Sequence, residues 1–395
     1  MPGLKNRSIL RQHTARILRI IREEGPVTRV DLAQHTGFDS ATVTKITKAL
    51  IRKRLIHETA LGQSTGGRRP KLLEITTDAY TVIGVNVDQD FISIQSMGLS
   101  ARPIKTRRIG NPEFRNPDKV LRTTQKAIAQ MVEEHANVLG VGVAFPGIVN
   151  SETGVCIYNA YFGWHNVPVR SALSAGLSVP VKVENDVRSV ALGEQWFGAA
   201  RSVSNMVCLR SHMGVGAAVV VGGEVLHGAH NMAGELGHTV VAVNGPLCVC
   251  GSYGCLEAIA SVSSIVRNVK QRLADNYPSM LGELPPERLD YKAICRAAKA
   301  GDKLAVRTLD EAAQYLAIAI GNAIDHVDPE MILLCGSAFM EDDYLYHKVL
   351  SLEPRRSFAF SSNAVAIERS KLDHCELVGA ATLILKDFFS GGGTL

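Results

Sequence analysis

Cys248, Cys250 and Cys255 place three of the chain's eight cysteines within eight residues, and His238 precedes the first of them by ten. Thiolate and imidazole are soft-to-borderline ligands that suit a tetrahedral zinc ion. Gly251 and Gly254 let the short loop between Cys248 and Cys255 fold back around one ion. Two carboxylates, Glu235 and Glu257, flank the group. A metal-knotted loop carrying two acids is therefore a candidate binding site as well as a staple. Taken singly, the cysteines read as buried thiols and the glutamates as solvated loop acids. The ligand spacing and the glycines favour the metal.

The elements that must position this loop belong to a chain of 395 residues, 46% of them hydrophobic, which is enough for two or three domains with real cores. No apolar segment follows the initiator Met as in a signal peptide, and Gly, Asn and Pro break the longest uncharged stretches. Neither export nor membrane insertion is expected. Cys156, Cys208, Cys295, Cys335 and Cys375 are scattered, most of them in apolar surroundings, as in a cytoplasmic protein with reduced thiols. Charge is uneven. Residues 1–75 hold 15 Lys/Arg against 6 Asp/Glu, whereas the remaining 320 hold 28 against 32. A basic arm on a mildly acidic body points to a polyanionic partner for the arm.

Within that arm, Leu10, Ile17, Leu18 and Ile21 recur on a helical period up to Gly25-Pro26. Thr28, with Asp31 three positions on, is a capping signal for a short helix through His35. Gly37 makes a turn, and Asp39 or Ser40 caps a third helix to about Arg54, with Val43, Ile46 and Leu50 on its apolar stripe. Ser40, Thr42, Thr44, Lys45 and Lys48 occupy its other faces. Small hydroxyls admit base edges and lysines neutralise phosphates, so this is a helix-turn-helix pattern directed at double-stranded DNA. An ordinary three-helix bundle with a polar face is the alternative. Two β-prone stretches, 56–59 and 72–75, flank Gly66-Gly67-Arg68-Arg69, which reads as a wing whose Arg68 and Arg69 enter a narrow minor groove. A basic linker is the alternative there.

From Val82 onward, apolar strands alternate with helices, the texture of an α/β domain. Strands are expected at 82–87, 91–94, 139–145, 181–183, 206–209 and 217–221, and helices at 117–135 and 190–197. Gly147, Asn185 and Asp186 follow strand C-terminal ends, where open α/β sheets gather ligands. Asp186 alone would be read as a helix N-cap.

Together, Pro146-Gly147, Glu184-Asn185-Asp186, Gly234-Glu235-Leu236-Gly237-His238 and the Cys248 to Glu257 motif resemble the ROK family of repressors, open reading frames and sugar kinases. With Gly66 to Arg69 ahead of them they resemble its repressor branch. The resemblance implies a winged helix-turn-helix at 1–75 and a two-lobed, actin-like sugar-binding domain at 76–395. Lobe one would span about 76–190 plus the C-terminal helix, and lobe two about 191–375. It further implies one structural zinc ion on His238, Cys248, Cys250 and Cys255. Hexose hydroxyls would meet Asn185, Asp186, Glu235, His238 and Glu257, with Gly147 lining the pocket and Asn159 a weaker candidate. Each hydroxyl donates and accepts, so carboxylates and an amide form paired bonds with adjacent hydroxyls.

The kinase branch of that family turns its first strand through Asp-x-Gly-Gly-Thr, whereas this chain reads Asn86-Val87-Asp88-Gln89-Asp90. Both glycines are missing, and two aspartates would face the phosphates. Met213 stands for a hydroxyl in His212-Met213-Gly214-Val215-Gly216, and Cys335-Gly336-Ser337 keeps one glycine of a pair. Backbone N–H groups must approach nucleotide phosphates closely, so a sensor is expected and catalysis is not. The expected function is a sugar-responsive repressor of carbohydrate genes, a homodimer or tetramer whose two lobes close on a sugar or sugar phosphate and so alter operator binding. A sugar kinase with a DNA-binding appendage is the alternative, and a scaffold that senses a protein partner is a third.

Overall fold

The computed structural model describes residues 2–61, 70–352 and 365–394. Gly66, Gly67, Arg68 and Arg69, expected in a wing, lie outside the described residues. The chain divides into two compact units. One comprises Met1–Ile157, His165–Ser189 and Glu376–Leu395, and the other Tyr158–Trp164 and Val190–Cys375.

The first unit begins with α1 (Pro2–Glu24), β1 (Val27–Thr28), α2 (Arg29–Thr36), α3 (Ser40–Arg52), β2 (Ile56–Leu61) and β3 (Lys71–Ile75). The side chain of Thr28 accepts from the Asp31 N–H at 3.1 Å, and the Asp31 carboxylate accepts from the Thr28 N–H at 2.8 Å. This is a capping box with Asp in the usual place of Glu, and such a cap contributes about 1 kcal/mol. Gly37, at φ 71°, ends α2 in the left-handed conformation. Asp39 caps α3 by accepting from the Thr42 N–H at 2.8 Å. Val43, Ile46 and Leu50 of α3 are buried with Ile17, Leu18 and Ile21 of α1, as their periodicity requires. The sheet order is β1-β3-β2. Two-residue β1 carries no pattern a sequence could announce. Helix, turn, helix and paired strands make a winged helix-turn-helix.

The chain continues through β4 (Thr81–Val87), β5 (Phe91–Met97), β6 (Pro103–Gly110), α4 (Pro117–Glu133), β7 (Val138–Phe145), β8 (Ile148–Asn150), β9 (Val155–Asn159), β10 (Trp164–Val167), α5 (Val169–Ser174), β11 (Val181–Asn185) and α6 (Asp186–Phe197). The main sheet of the first unit is ordered β11-β7-β4-β5-β6. Its β4, β5 and β6 are antiparallel, and β7 and β11 run parallel to β4. Strand β6, which is mostly exposed and rich in Lys and Arg, has no apolar alternation to betray it. Helix α6 starts at Asp186, four residues ahead of the apolar run, because the β11 strand leads straight into it.

The second unit adds β12 (Met206–Ser211), β13 (Val215–Val221), β14 (Glu224–Val225), α7 (Leu256–Ala260), α8 (Val262–Ala274), α9 (Tyr291–Lys299), α10 (Lys303–Val327), β15 (Met331–Cys335), α11 (Ser337–Met340), α12 (Asp343–Leu352) and β16 (Ala366–Arg369). Its sheet, β14-β13-β12-β15-β16, repeats the pattern of three antiparallel strands followed by two parallel ones. Leu309, Ala312, Leu316 and Ile320 of α10 are buried in one apolar core with Leu209, Leu334 and Phe339. The small alanines allow close helix packing. No helix among the described residues is long and apolar enough to cross a membrane.

The last helix, α13 (Cys375–Ser390), returns to the first unit and lies directly on its sheet. A Cβ at Gly142 of β7 would stand 1.7 Å from the Ala380 carbonyl oxygen, and one at Gly84 of β4 would stand 2.1 Å from that of Leu377. Beyond the helix, the Gly391 carbonyl accepts from Arg11 Nε at 2.9 Å, and Gly393 packs on Leu18 and Leu55. The end of the chain therefore touches both the central sheet and the winged-helix core. Gly142→Ala is expected to lift α13 and destabilise the protein by at least about 2 kcal/mol, an overpacking cost. Urea unfolding checks this, and an unchanged midpoint would contradict the close seating.

Candidate functional site

The Gly234 to His238 segment lies flat on β13. Cβ atoms at Gly234 and Gly237 would stand 2.2 Å from the Ala217 oxygen and 1.8 Å from the Val215 oxygen. The glycine spacing thus presses the backbone against the strand and leaves Glu235 and His238 on the other side, each half-buried. The following loop closes on itself through bridges Val240–Cys255 and Leu247–Tyr253 and through the Gly254 N–H to the Pro246 carbonyl at 2.8 Å.

That closure gathers the four expected ligands. Their donor atoms all lie within 4.8 Å of one another. Cys248 Sγ is 3.6 Å from His238 Nδ1, and Cys250 Sγ is 3.7 Å from Cys255 Sγ. A tetrahedral zinc with Zn–S of about 2.3 Å and Zn–N of about 2.0 Å separates its ligand atoms by about 3.5–3.8 Å, so the residues fit such an ion. Four protein ligands leave no open position, which is the structural rather than the catalytic arrangement. Burial pushes the Cys248 thiol up to about 12 and raises that of Cys255. Burial opposes ionisation of Cys250 too, but hydrogen bonds from the Ser252 backbone and the neighbouring thiols lower it. Thiols crowded in this way favour a cation that replaces their protons.

His238 belongs to both expected sets. Its Nδ1 faces the thiols, while its Nε2 is 3.9 Å from Glu235 Oε2. A ligand on Nδ1 leaves the proton on Nε2, free to donate on the other side of the ring. Glu257 is only 5% exposed. Its Oε2 accepts from the Val215 N–H at 3.0 Å, and Oε1 lies 3.9 Å from Cys248 Sγ. A Cβ at Gly214 would stand 2.4 Å from that Oε2, so Gly214 makes room for Glu257. Tyr161 adjoins them. Burial first, and then the Glu257 carboxylate, hold its hydroxyl far above its ordinary range. Sequence reasoning missed Tyr161 because it follows Asn159 in a loop with no local signal. Asn159 is buried, and its side-chain oxygen accepts from the Phe162 N–H at 3.0 Å.

In the first unit, Gly147, Asn185 and Asp186 form their own group at the ends of β7 and β11. Asn185 Nδ2 donates to the Gly147 carbonyl and to Asp186 Oδ1, each at 3.0 Å. Asn185 Oδ1 accepts from the Arg188 N–H at 3.0 Å. Buried Glu184 accepts from the Asn185 N–H at 2.7 Å and pairs with buried Arg188 at 3.2 Å. Breaking such a buried pair by removing one partner costs about 3–5 kcal/mol. This brace beneath Asp186 was signalled only by the four-residue spacing of Glu184 and Arg188. The expected sugar ligands thus fall into two sets, one within each unit.

On α3, Ser40, Lys45 and Lys48 are exposed, and Thr42 and Thr44 are half-buried. The Thr42 hydroxyl donates to Asp39 at 2.7 Å, and this bond with the Thr42 N–H keeps the Asp39 carboxyl below the usual carboxylate range. Arg29 joins the helices to the wing strands by donating to Thr47 at 3.1 Å and to Glu58 at 2.9 Å. At the β4–β5 turn, Asp88 accepts from the Gln89 N–H at 2.6 Å. His212 Nδ1 is 2.5 Å from Ser337 Oγ, beside Gly336 at φ 87°.

Comparison with known proteins places these features. The ROK family model matches residues 82–387, and the MarR family model matches residues 10–61. The xylose repressor of Caldicellulosiruptor bescii is 30% identical over 98% of each chain. The crystal structure of a ROK family transcriptional regulator, a homologue of the E. coli MLC protein, superposes with a TM-score of 0.83 at 29% identity and covers 97% of each chain. A ROK family glucokinase from Streptomyces griseus, solved with glucose and AMPPNP, matches with a TM-score of 0.68 at 26% identity, over 77% of this chain and 98% of its own.

Two outcomes follow from this geometry. Cys250→Ser is expected to lose the metal and loosen the loop before Glu257. Elemental analysis of the purified variant measures this, and full wild-type metal content would remove Cys250 from the ligand set. Lys48→Ala is expected to weaken DNA binding across sequences and to lower the slope of log K against log salt by about one, as for a lost phosphate contact. A salt titration of binding that leaves the slope unchanged would place Lys48 off the DNA.

Proposed function

The chain belongs to the ROK family, and we infer that it is a sugar-responsive, DNA-binding transcriptional regulator whose operator affinity is set by a sugar or sugar phosphate. The observation that carries this reading is one polypeptide joining a MarR-type helix-turn-helix to a ROK domain whose acids and imidazole lie beside a His/Cys cluster suited to a metal ion. It acts as a repressor of carbohydrate genes, in the cytoplasm, on a two-fold operator contacted by α3 with Ser40, Thr42, Thr44, Lys45 and Lys48, and by Arg68 and Arg69 of the wing. Zinc on His238, Cys248, Cys250 and Cys255 supplies rigidity rather than a reactive centre.

Recognition of sugar hydroxyls is assigned to Asn185 and Asp186 beside Gly147 in the first unit, and to Glu235, His238 and Glu257 in the second, with Asn159 a weaker candidate. Glu235 and His238 each present a polar edge suited to a hydroxyl that donates and accepts. Glu257, already bonded to Val215, contributes chiefly by anchoring the site. For signalling, the sugar must bind the DNA-competent and DNA-incompetent forms with different affinity, and the difference is the coupling free energy.

Turnover is not part of this reading. Asp88 and Asp90 put negative charge where a kinase presents glycine N–H groups to phosphate. The survival of Gly214 is accounted for by Glu257 without a nucleotide. The test is a thermal-shift screen of sugars and sugar phosphates, followed by operator binding with and without the hit. A sugar at about 100 times its Kd stabilises the protein by about 2.7 kcal/mol. Glu235→Ala is expected to bind operator normally and to lose both the shift and the response. A normal response in that variant, or release of ADP from ATP, magnesium and the sugar by the wild type, would overturn the reading.

A further inference from the structure

Two residues of the winged helix-turn-helix stand where local physics disfavours them. Arg29 is the first residue of α2, directly after its N-cap Thr28. A helix N-terminus carries positive partial charge and favours acids over cations. Glu58 is the only Asp or Glu between Asp39 and Glu74, a stretch that holds eight Lys and Arg. In a surface that meets a polyanion, a carboxylate repels phosphate and weakens binding. Proteins keep such local conflicts chiefly at functional sites.

Each of the two accounts for the other. Arg29 Nη2 donates to Glu58 Oε1 at 2.9 Å, while its Nε donates to Thr47 Oγ1 at 3.1 Å. Glu58 Oε2 in turn accepts from Lys71 Nζ at 2.5 Å. The hydrogen bonds from Lys71 and then Arg29 hold the Glu58 carboxyl below the usual carboxylate range, so it keeps its charge. Thr47 is buried in α3, one residue before Lys48, and its hydroxyl also donates to the Val43 carbonyl at 2.9 Å. Four elements are thereby joined: α2 by Arg29, α3 by Thr47, β2 by Glu58 and β3 by Lys71. Arg29 and Glu58 are only half-buried, and ion pairs as accessible as theirs add little to stability. What a guanidinium fork supplies is direction, because its donors are fixed in one plane. Here one fork spans the recognition helix and the first wing strand. Through Lys71 the same acid also holds the second strand, two residues after Arg68-Arg69 in sequence.

We propose that Glu58, acting through Arg29 and Lys71, is a positioning residue for DNA readout, one that weakens the hold on phosphate and fixes the wing strands relative to the recognition helix. The inference rests on the regulator reading. Full-length protein is titrated over a range of salt with two duplexes of equal length, one carrying A·T tracts and one with those tracts replaced by G·C. The wild type is expected to prefer the A·T duplex, as arginines in a narrow minor groove require. Glu58→Gln removes the negative charge and releases Arg29 and Lys71 toward phosphate. It is expected to bind the G·C duplex more tightly, with the slope of log K against log salt steeper by about one to two, and its preference for A·T is expected to fall toward unity. Arg29→Lys keeps the charge but loses the fork, and is expected to lose the preference without tighter binding. A folding defect would weaken binding to both duplexes, opposite in sign to the effect of Glu58→Gln. The proposal is overturned if either variant keeps the wild-type preference, if Glu58→Gln weakens binding to both duplexes, or if the wild type shows no preference. Those outcomes leave the regulator reading standing, whereas a wild type that binds neither duplex removes that reading and this proposal with it.

Discussion

The Glu257 carboxylate is the point on which the second unit's candidate site depends. Within one residue's reach it takes the Val215 N–H of β13, stands against Gly214, adjoins Tyr161 and faces the Cys248 thiol. These neighbours come from three separate stretches of chain, Gly214-Val215, Tyr161 and Cys248. A buried acid survives only when its lone pairs are used, so this contact network sets how the metal loop is attached to the sheet. The clustered His238 and cysteines fill the loop from inside, and Glu257 ties that shape to β13. His238 connects the two by turning one ring nitrogen toward the thiols and the other toward Glu235. Stiffness in one place is thereby converted into placement of polar groups in another.

A similar economy governs the first unit. Asn185 spends its amide on Gly147 and Asp186, and buried Glu184 and Arg188 stiffen the backbone beneath them. The same sheet reaches the winged-helix arm through packing and one hydrogen bond. Glycines in β4 and β7 admit the backbone of α13, and the residues after α13 rest on Arg11, Leu18 and Leu55. The sheet and the winged-helix core are thereby joined through α13 and the residues after it.

Much of this was legible in advance. The capping box of Thr28 and Asp31, the stripe of Val43, Ile46 and Leu50, and the buried strands of the large domain follow from local period and local hydrogen bonding. The four metal ligands were legible for the same reason, since they sit within 18 residues of one another with glycines between them. Elements without a local signal were not. Strand β1 has two residues, and β6 is an exposed basic edge. Tyr161 and the Glu184–Arg188 brace went unnoticed because their meaning lies in what they touch.

By itself, the sequence determined the winged helix-turn-helix, the α/β character and which His and Cys side chains cluster as candidate metal ligands. All three rest on residues close together along the chain, where spacing is already geometry. Only the tertiary structure decided what the glycines are for. Gly214 looked like a remnant of a phosphate loop, and it is the gap that Glu257 fills. Gly142, within the expected strand 139–145, is the seat of a helix that begins more than two hundred residues later. A missing side chain has no chemistry of its own, so its role is defined by the atom that occupies the space, and that atom comes from elsewhere in the fold.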